Sequence, residues 1–251
     1  MKNRLSSPES RFENLPDHNF KSHYLEVKKY YLRICLIILL VSALNPGFSQ
    51  SNEIKIRFIG NCGLYISDGT THIYSDFPYK SGAHHYMEYD ESEIESLKVN
   101  AYFVFTHKHS DHYFKGSLKK ILKRINGKKV DRWNMSEMDD MNATIPDFNI
   151  QAFKTKHLFS FKHYSYLISW HGKKIFLSGD TKHPEVIVTM ENLDWTFIPA
   201  WLFKEAIMDR KMKIDTKMIG IYHIGPRDDI DIVGPEILML DKQGEMISIP
   251  Y

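Results

Sequence analysis

The segment Thr-His-Lys-His-Ser-Asp-His at positions 106–112 limits the possible local structure and chemistry of this chain more than any other segment. It places four potential metal ligands in six residues. It follows directly on the apolar run 101–105. A helix would turn the first two histidines to different sides, whereas an extended chain points both imidazoles the same way. The segment therefore predicts a strand that ends in a ligand-bearing loop. The serine can then turn the chain and aim the aspartate and the last histidine at a second point, so one loop could serve two metals.

This loop resembles the H-x-H-x-D-H signature of the metallo-β-lactamase-fold hydrolases, and the resemblance covers residues 54 to about 225. It implies three further ligands in family order, which are His157, Asp180 in a Ser-Gly-Asp-Thr segment, and His223. His163 is a rival for the third histidine. We prefer His157, because His163 begins a predicted strand.

The resemblance also implies a role for each of these residues. Asp111 and His112 are implied as catalytic residues as well as ligands. Asp76, at the end of a predicted strand, would form hydrogen bonds beneath the loop, although a simple strand cap is the alternative interpretation. The implied metal ligands are His107, His109 and His157 for one ion, Asp111, His112 and His223 for the other, and Asp180 as a bridge between them.

Two similar runs of short strands predict the fold. Alternating apolar residues in 54–76 surround an Asp-Gly turn at 68–69, which indicates antiparallel hairpins. Apolar residues at helical spacing in 115–125, with lysines opposite, predict an amphipathic helix. We therefore expect an α+β fold, a four-layer αββα sandwich of two mainly antiparallel sheets with outer helices, as the resemblance also implies. Further elements predicted are helices at 91–97 and 184–193 and strands at 148–156, 164–170, 174–178, 195–199 and 218–223.

The implied ligands limit the metal and the reaction. Imidazole and carboxylate without thiolate suit zinc, but also iron or manganese. The resemblance implies a binuclear hydrolase, in which a metal-bridging hydroxide attacks a small-molecule ester or lactone, phosphodiester or thioester. Three alternatives are metal-dependent redox chemistry of the sulfur dioxygenase kind, a true β-lactamase, and a metal-binding protein without turnover. A β-lactam is the substrate least supported, because true metallo-β-lactamases carry cysteine or serine where this chain has Asp180.

Residues 1–49 are interpreted as a leader. A basic flank precedes the apolar run 34–44, and a Pro-Gly breaker with small residues follows, which is typical of a secretory signal peptide. We predict cleavage between Ser49 and Gln50, which leaves 50–251 as an exported catalytic domain, periplasmic or extracellular. The polar stretch before the run is long for a signal peptide. An uncleaved anchor is therefore the alternative, and only then would we expect stable association with a membrane.

Charge and cysteine content add two expectations. Residues 50–251 contain 26 Lys/Arg and 27 Asp/Glu, so no net basic field favours nucleic acid. Cys35 lies in the apolar run, which leaves Cys62 as the one cysteine of the mature chain. We interpret Cys62 as a small buried residue rather than a nucleophile.

Two segments have open interpretations. His84 and His85 lie in the long loop 77–90 and could border a substrate site or simply be exposed. The apolar segment Trp-Leu-Phe at 201–203 could form a hydrophobic lid or belong to the core, and we favour the core.

Overall fold

The structure is a computed structural model that describes residues 26–34, 52–131, 134–228 and 234–251. The chain divides into two compact units, Met1–Ser51 and Asn52–Tyr251. In the first unit, residues 26–34 are helical. The predicted signal-peptide run beyond Ile34 and the predicted cleavage site lie outside the described residues. No helix within the described ranges is both long enough and apolar enough to cross a membrane.

The first sheet of the second unit combines strands from both ends of the chain. Its members are β1 (Glu53–Gly60), β2 (Gly63–Ser67), β3 (His72–Ser75), β4 (Tyr102–Val104), β5 (Lys128–Val130) and β12 (Met246–Pro250). Their order across the sheet is β12-β1-β2-β3-β4-β5. The pairs from β12 to β3 are antiparallel, and β3, β4 and β5 are parallel.

The second sheet follows in the middle of the chain. Its members are β6 (Phe148–His157), β7 (Ser160–Trp170), β8 (Lys173–Leu177), β9 (Leu193–Pro199), β10 (Thr216–Tyr222) and β11 (Ile237–Met239). Their order is β11-β10-β9-β8-β7-β6. The pairs among β6, β7 and β8 are antiparallel, and those from β8 to β11 are parallel.

The predicted αββα sandwich is confirmed, but its sheets are mixed rather than mainly antiparallel. Short turns join β1 to β2, β2 to β3, β6 to β7 and β7 to β8, whereas helical segments precede β4, β5, β9 and β10. The helices are α1 (Ser92–Glu95), α2 (Lys115–Ile125), α3 (Ser136–Thr144), α4 (Glu185–Val188) and α5 (Ala200–Phe203), with a 3₁₀ turn at Ala83–His85 and a π-helical turn at Lys204–Asp209. The predicted helix at 184–193 is shorter than expected, while α3, β5, β11 and β12 were not predicted.

Successive residues of a strand point to opposite faces of its sheet and therefore pack into different layers of the sandwich. In β8, Ile175 and Leu177 point into the space between the sheets, and Phe176 points away from it. In β4, Val104 joins the central core, while Phe103 packs on the outer side. Both faces of these strands are therefore buried. The apolar face of α2 covers the outer side of the first sheet with Leu118, Ile121 and Ile125.

Candidate metal centre

The predicted ligand loop follows β4 and is attached to both sheets. The Phe105 N–H donates to the Val130 carbonyl at 3.0 Å, and the Tyr164 N–H donates to the Thr106 carbonyl at 3.0 Å. The buried Tyr166 hydroxyl also donates to the Phe105 carbonyl at 3.0 Å. Because one sheet provides Val130 and the other provides the two tyrosines, the loop is hydrogen-bonded to both sheets.

Asp76 lies beneath this loop and sets the orientation of two of its histidines. One Asp76 oxygen accepts from the Thr106 N–H at 2.8 Å, and the other accepts from the Thr106 hydroxyl at 2.8 Å and from His112 Nδ1 at 2.9 Å. Thr106 Oγ1, having donated its own hydrogen, can accept from His107 Nδ1 at 3.0 Å. These bonds place a hydrogen on Nδ1 of both His107 and His112, so Nε2 is the atom that each ring turns toward the site.

Three histidines form the first group of candidate ligands. His107, His109 and His157 offer nitrogen atoms that all lie within 4.8 Å of one another. His157 Nε2 is 3.1 Å from His109 Nδ1. Burial lowers the pKa of His107 well below its ordinary value, and nearby His112 lowers it further. His107 is therefore neutral at pH 7, and its buried Nε2 has no hydrogen-bond partner.

The rival histidine, His163, is buried beside this group but is not part of it. Its Nδ1 lies 2.6 Å from the Thr155 hydroxyl. Its ring centre lies 5.0 Å from that of His107. Burial lowers the pKa of His163 to about 3, so it is neutral. The structure therefore brings His157 rather than His163 into the group with His107 and His109.

The second group contains one residue that was not predicted as a ligand. Ligand atoms of Cys62, His112, Asp180 and His223 all lie within 4.8 Å of one another. Asp111 joins through its Oδ2, which lies 3.2 Å from His223 Nε2 and 3.7 Å from His112 Nε2. The predicted residues of the second site therefore converge, and Cys62 converges with them.

Asp180 lies between the two groups. Its Oδ2 is 3.1 Å from His112 Nε2, 3.2 Å from His223 Nε2 and 3.9 Å from His157 Nε2. Burial disfavours the charged form of Asp180, but His112 and His223 outweigh this and hold its pKa well below the ordinary range. Conversely, the pKa of buried His223 is raised to about 9 by Asp180 and Asp111. A single carboxylate can therefore contact both groups.

A cleft of about 470 Å³ opens above these side chains. Leu158 and Trp201 contribute apolar walls, and Tyr86, Lys182 and His84 contribute polar ones. Burial raises the pKa of Tyr86, and the neighbouring Asp180 and Asp111 raise it further, so its hydroxyl stays protonated and can donate. Leu202 and Phe203 are buried in the core, as expected, and the half-buried Trp201 packs against the same cluster while it also lines the cleft.

The residues predicted as ligands lie together, but most of the cleft wall was not predicted from the sequence. His84 was noted, and it borders the cleft, with its Nε2 4.0 Å from Asp111 Oδ1, whereas His85 does not line it. Tyr86 directly follows these two histidines in the same loop, so proximity to them was an available signal. Lys182 follows Asp180 by two residues and offered a similar one. Leu158 directly follows His157 and offered the same signal, whereas Trp201 is distant in sequence from every predicted ligand.

The residues present fit metal ions. His107 Nε2 and Asp111 Oδ1 are both buried without a hydrogen-bond partner, which is costly unless another group binds them. Two nitrogens on one tetrahedral zinc ion lie about 3.3 Å apart, because zinc–nitrogen bonds are about 2.05 Å long. The 3.1 Å separation of His157 Nε2 and His109 Nδ1 is close to that value.

Comparison with known proteins finds similarity in structure. Neither a protein-family model nor a curated protein matches the sequence. Igni18, a metallo hydrolase from the archaeon Ignicoccus hospitalis, aligns with a TM-score of 0.57 at 15% identity, over 79% of this chain and 99% of that one. The metallo-β-lactamase fold protein YhfI from Bacillus subtilis aligns with a TM-score of 0.50 at 14% identity, over 78% of this chain and 99% of that one. At such low identity, these similarities show a shared fold.

Proposed function

We propose that this chain, which has the metallo-β-lactamase fold, is an exported binuclear metal-dependent hydrolase. The observation that carries the proposal is the position of Asp180 Oδ2 between the two groups of candidate ligands, 3.1 Å from His112 Nε2 and 3.9 Å from His157 Nε2. A shared carboxylate is the expected link between two ions of like charge. Zinc is the metal we propose, because imidazole and carboxylate ligands suit it.

His107, His109 and His157 would hold one ion, and Asp111, His112 and His223 would hold the other. Ions held there would lower the pKa of water and stabilise negative charge on a substrate oxygen. Asp111 and Asp180 would offset part of the added positive charge. The protonated Tyr86 hydroxyl would donate to an oxygen that becomes negative during attack.

The cleft supports a small amphiphilic substrate. Leu158 and Trp201 would exclude water from an apolar substituent, and Lys182 would attract a carboxylate or phosphate. An ester or lactone with an apolar chain would fit Leu158 and Trp201, and thioesters and phosphodiesters remain in the proposed substrate range. A cleft of this size also supports a small molecule rather than a polymer.

The test is a hydrolysis panel with full-length protein reconstituted with zinc. The panel contains a short and a medium-chain aryl ester, a lactone, an acyl thioester and an aryl phosphodiester. We expect metal-dependent turnover that chelation abolishes and that His109→Ala lacks, with the medium-chain ester ahead of the short one. If the protein binds two metal equivalents but hydrolyses none of these substrates, the result would favour a metal-binding protein without turnover.

A further inference from the structure

Cys62 lies in the tight turn between β1 and β2, yet its side chain reaches the candidate metal centre. The preceding residue, Asn61, holds this turn in place with a left-handed backbone at φ 51°. Asn61 Nδ2 donates to the Asp111 carbonyl at 2.5 Å, and the Asn61 carbonyl accepts from the His223 N–H at 3.0 Å. The turn is thus attached to two ligand-bearing segments, so the position of Cys62 is set together with theirs.

The thiol of Cys62 faces the second ligand group at close range. Cys62 is completely buried. Its Sγ lies 4.0 Å from Asp180 Oδ1 and within 4.8 Å of a ring nitrogen of both His112 and His223. Sulfur and oxygen bound to one tetrahedral zinc ion lie about 3.6 Å apart, since zinc–sulfur bonds are about 2.3 Å long. The observed separation is therefore close to that of two ligands of one ion.

An independent feature of His223 indicates that a ligand belongs at this point. His223 is 2% exposed, and carboxylate oxygens of both Asp111 and Asp180 lie 3.2 Å from its Nε2. Two carboxylates and an imidazole nitrogen thus converge on one buried point, as the ligands of a single ion do. An ion within reach of Cys62, His112 and Asp180 would also lie within reach of this nitrogen.

We propose that Cys62 is a thiolate ligand of the second metal ion, in addition to Asp111, His112, His223 and the bridging Asp180. The inference rests on the binuclear centre proposed above and adds a sulfur ligand to one of its two sites. On binding, the S–H bond is replaced by a sulfur–metal bond, and the proton leaves to solvent. The two sites then differ in chemistry, because the thiolate biases the second toward Zn²⁺, Co²⁺ or Cd²⁺ over Mn²⁺.

The experiment uses the full-length protein loaded with two equivalents of Co²⁺. We expect a near-ultraviolet thiolate-to-cobalt charge-transfer band in addition to the visible bands that imidazole and carboxylate ligands give. Cys62→Ser should remove the near-ultraviolet band and keep the visible ones. The chain contains two cysteines, so Cys35→Ser is the matched control and should keep both sets of bands.

A second measurement uses wild-type protein and therefore does not depend on the folding of the Cys62→Ser variant. X-ray absorption at the zinc edge of wild-type protein with two zinc equivalents should show a sulfur scatterer at about 2.3 Å, averaging one for every two ions. Two bound ions without a sulfur scatterer, or a charge-transfer band that survives Cys62→Ser, would overturn the thiolate assignment and leave the hydrolase proposal intact. Failure of the wild-type chain to bind any metal would overturn both.

Discussion

His112 Nδ1 lies 2.9 Å from Asp76 Oδ2, and this bond leaves the Nε2 of a completely buried histidine facing Asp180. The same carboxylate oxygen accepts the Thr106 hydroxyl, which in turn can accept from His107. One aspartate therefore orients one histidine in each ligand group. Through these bonds, a residue that touches no proposed ion controls two ligands that do.

Replacing this aspartate should weaken both metal sites. In Asp76→Asn, the amide can present its NH₂ to His112 and favour the ring tautomer that carries hydrogen on Nε2, the atom that must bind metal. We expect metal affinity to fall about 10–100-fold, as for other groups that orient metal-binding histidines. Competition with a chelator measures the metal affinity. Asp139→Asn, on the exposed face of α3, is the matched control, and equal affinity of the two variants would contradict the role of Asp76.

Tyr86 should act in catalysis more than in binding. Tyr86→Phe removes only the hydroxyl that we expect to donate to the developing negative charge, so kcat should fall about 10–100-fold with little change in KM. Steady-state kinetics on the best ester of the panel measure it. Tyr89→Phe, in the same loop but packed against Phe77 and Tyr79, is the control and should keep the wild-type kcat. A fall confined to KM would make Tyr86 a binding residue instead.

The chain should be a poor β-lactamase. In the proposed centre, Asp180 would hold two ions close together, an arrangement suited to an attacked oxygen and an oxyanion leaving group. A β-lactam opens to a nitrogen leaving group, which such a pair stabilises less well. The measurement compares a chromogenic cephalosporin with the aryl esters and the lactone, with Asp180→Asn as the inactive control. Turnover of the cephalosporin faster by orders of magnitude would refute this reasoning.

The exported protein should begin at Gln50. Small residues at Gly47 and Ser49 precede the predicted cut, in the pattern that signal peptidase recognises. Mass spectrometry of the amino-terminal peptide is the appropriate measurement, since an amino-terminal glutamine can cyclise and block stepwise sequencing. Recovery of residues 34–44 on the exported chain would indicate an anchor instead.

Local patterns account for what the sequence predicted well. The loop at 106–112 carries its ligands side by side, and α2 was predicted with its observed bounds because its apolar spacing is complete within eleven residues. Cys62 was different, since only the folding of Asn61 against Asp111 and His223 brings its thiol to the site. The local sequence around Cys62 does not predict those long-range contacts.

Long-range pairing explains the missed elements as well. In β12, Ile247 and Ile249 alternate with exposed residues as a half-buried strand should, but its partner β1 lies at the other end of the domain. Such a partner cannot be inferred from local spacing. The parallel pairs likewise depend on how the helical crossovers pack, which is a tertiary property.

Metal content tests the central claim most directly. Full-length wild-type protein, reconstituted with zinc and dialysed, should hold two metal equivalents by elemental analysis, and His109→Ala should lose metal and hydrolysis together because each ligand completes a coordination shell. His85→Ala, in the loop that borders the cleft but outside both ligand groups, should keep both ions. Wild-type protein that holds no metal after reconstitution with zinc, iron or manganese would contradict the account.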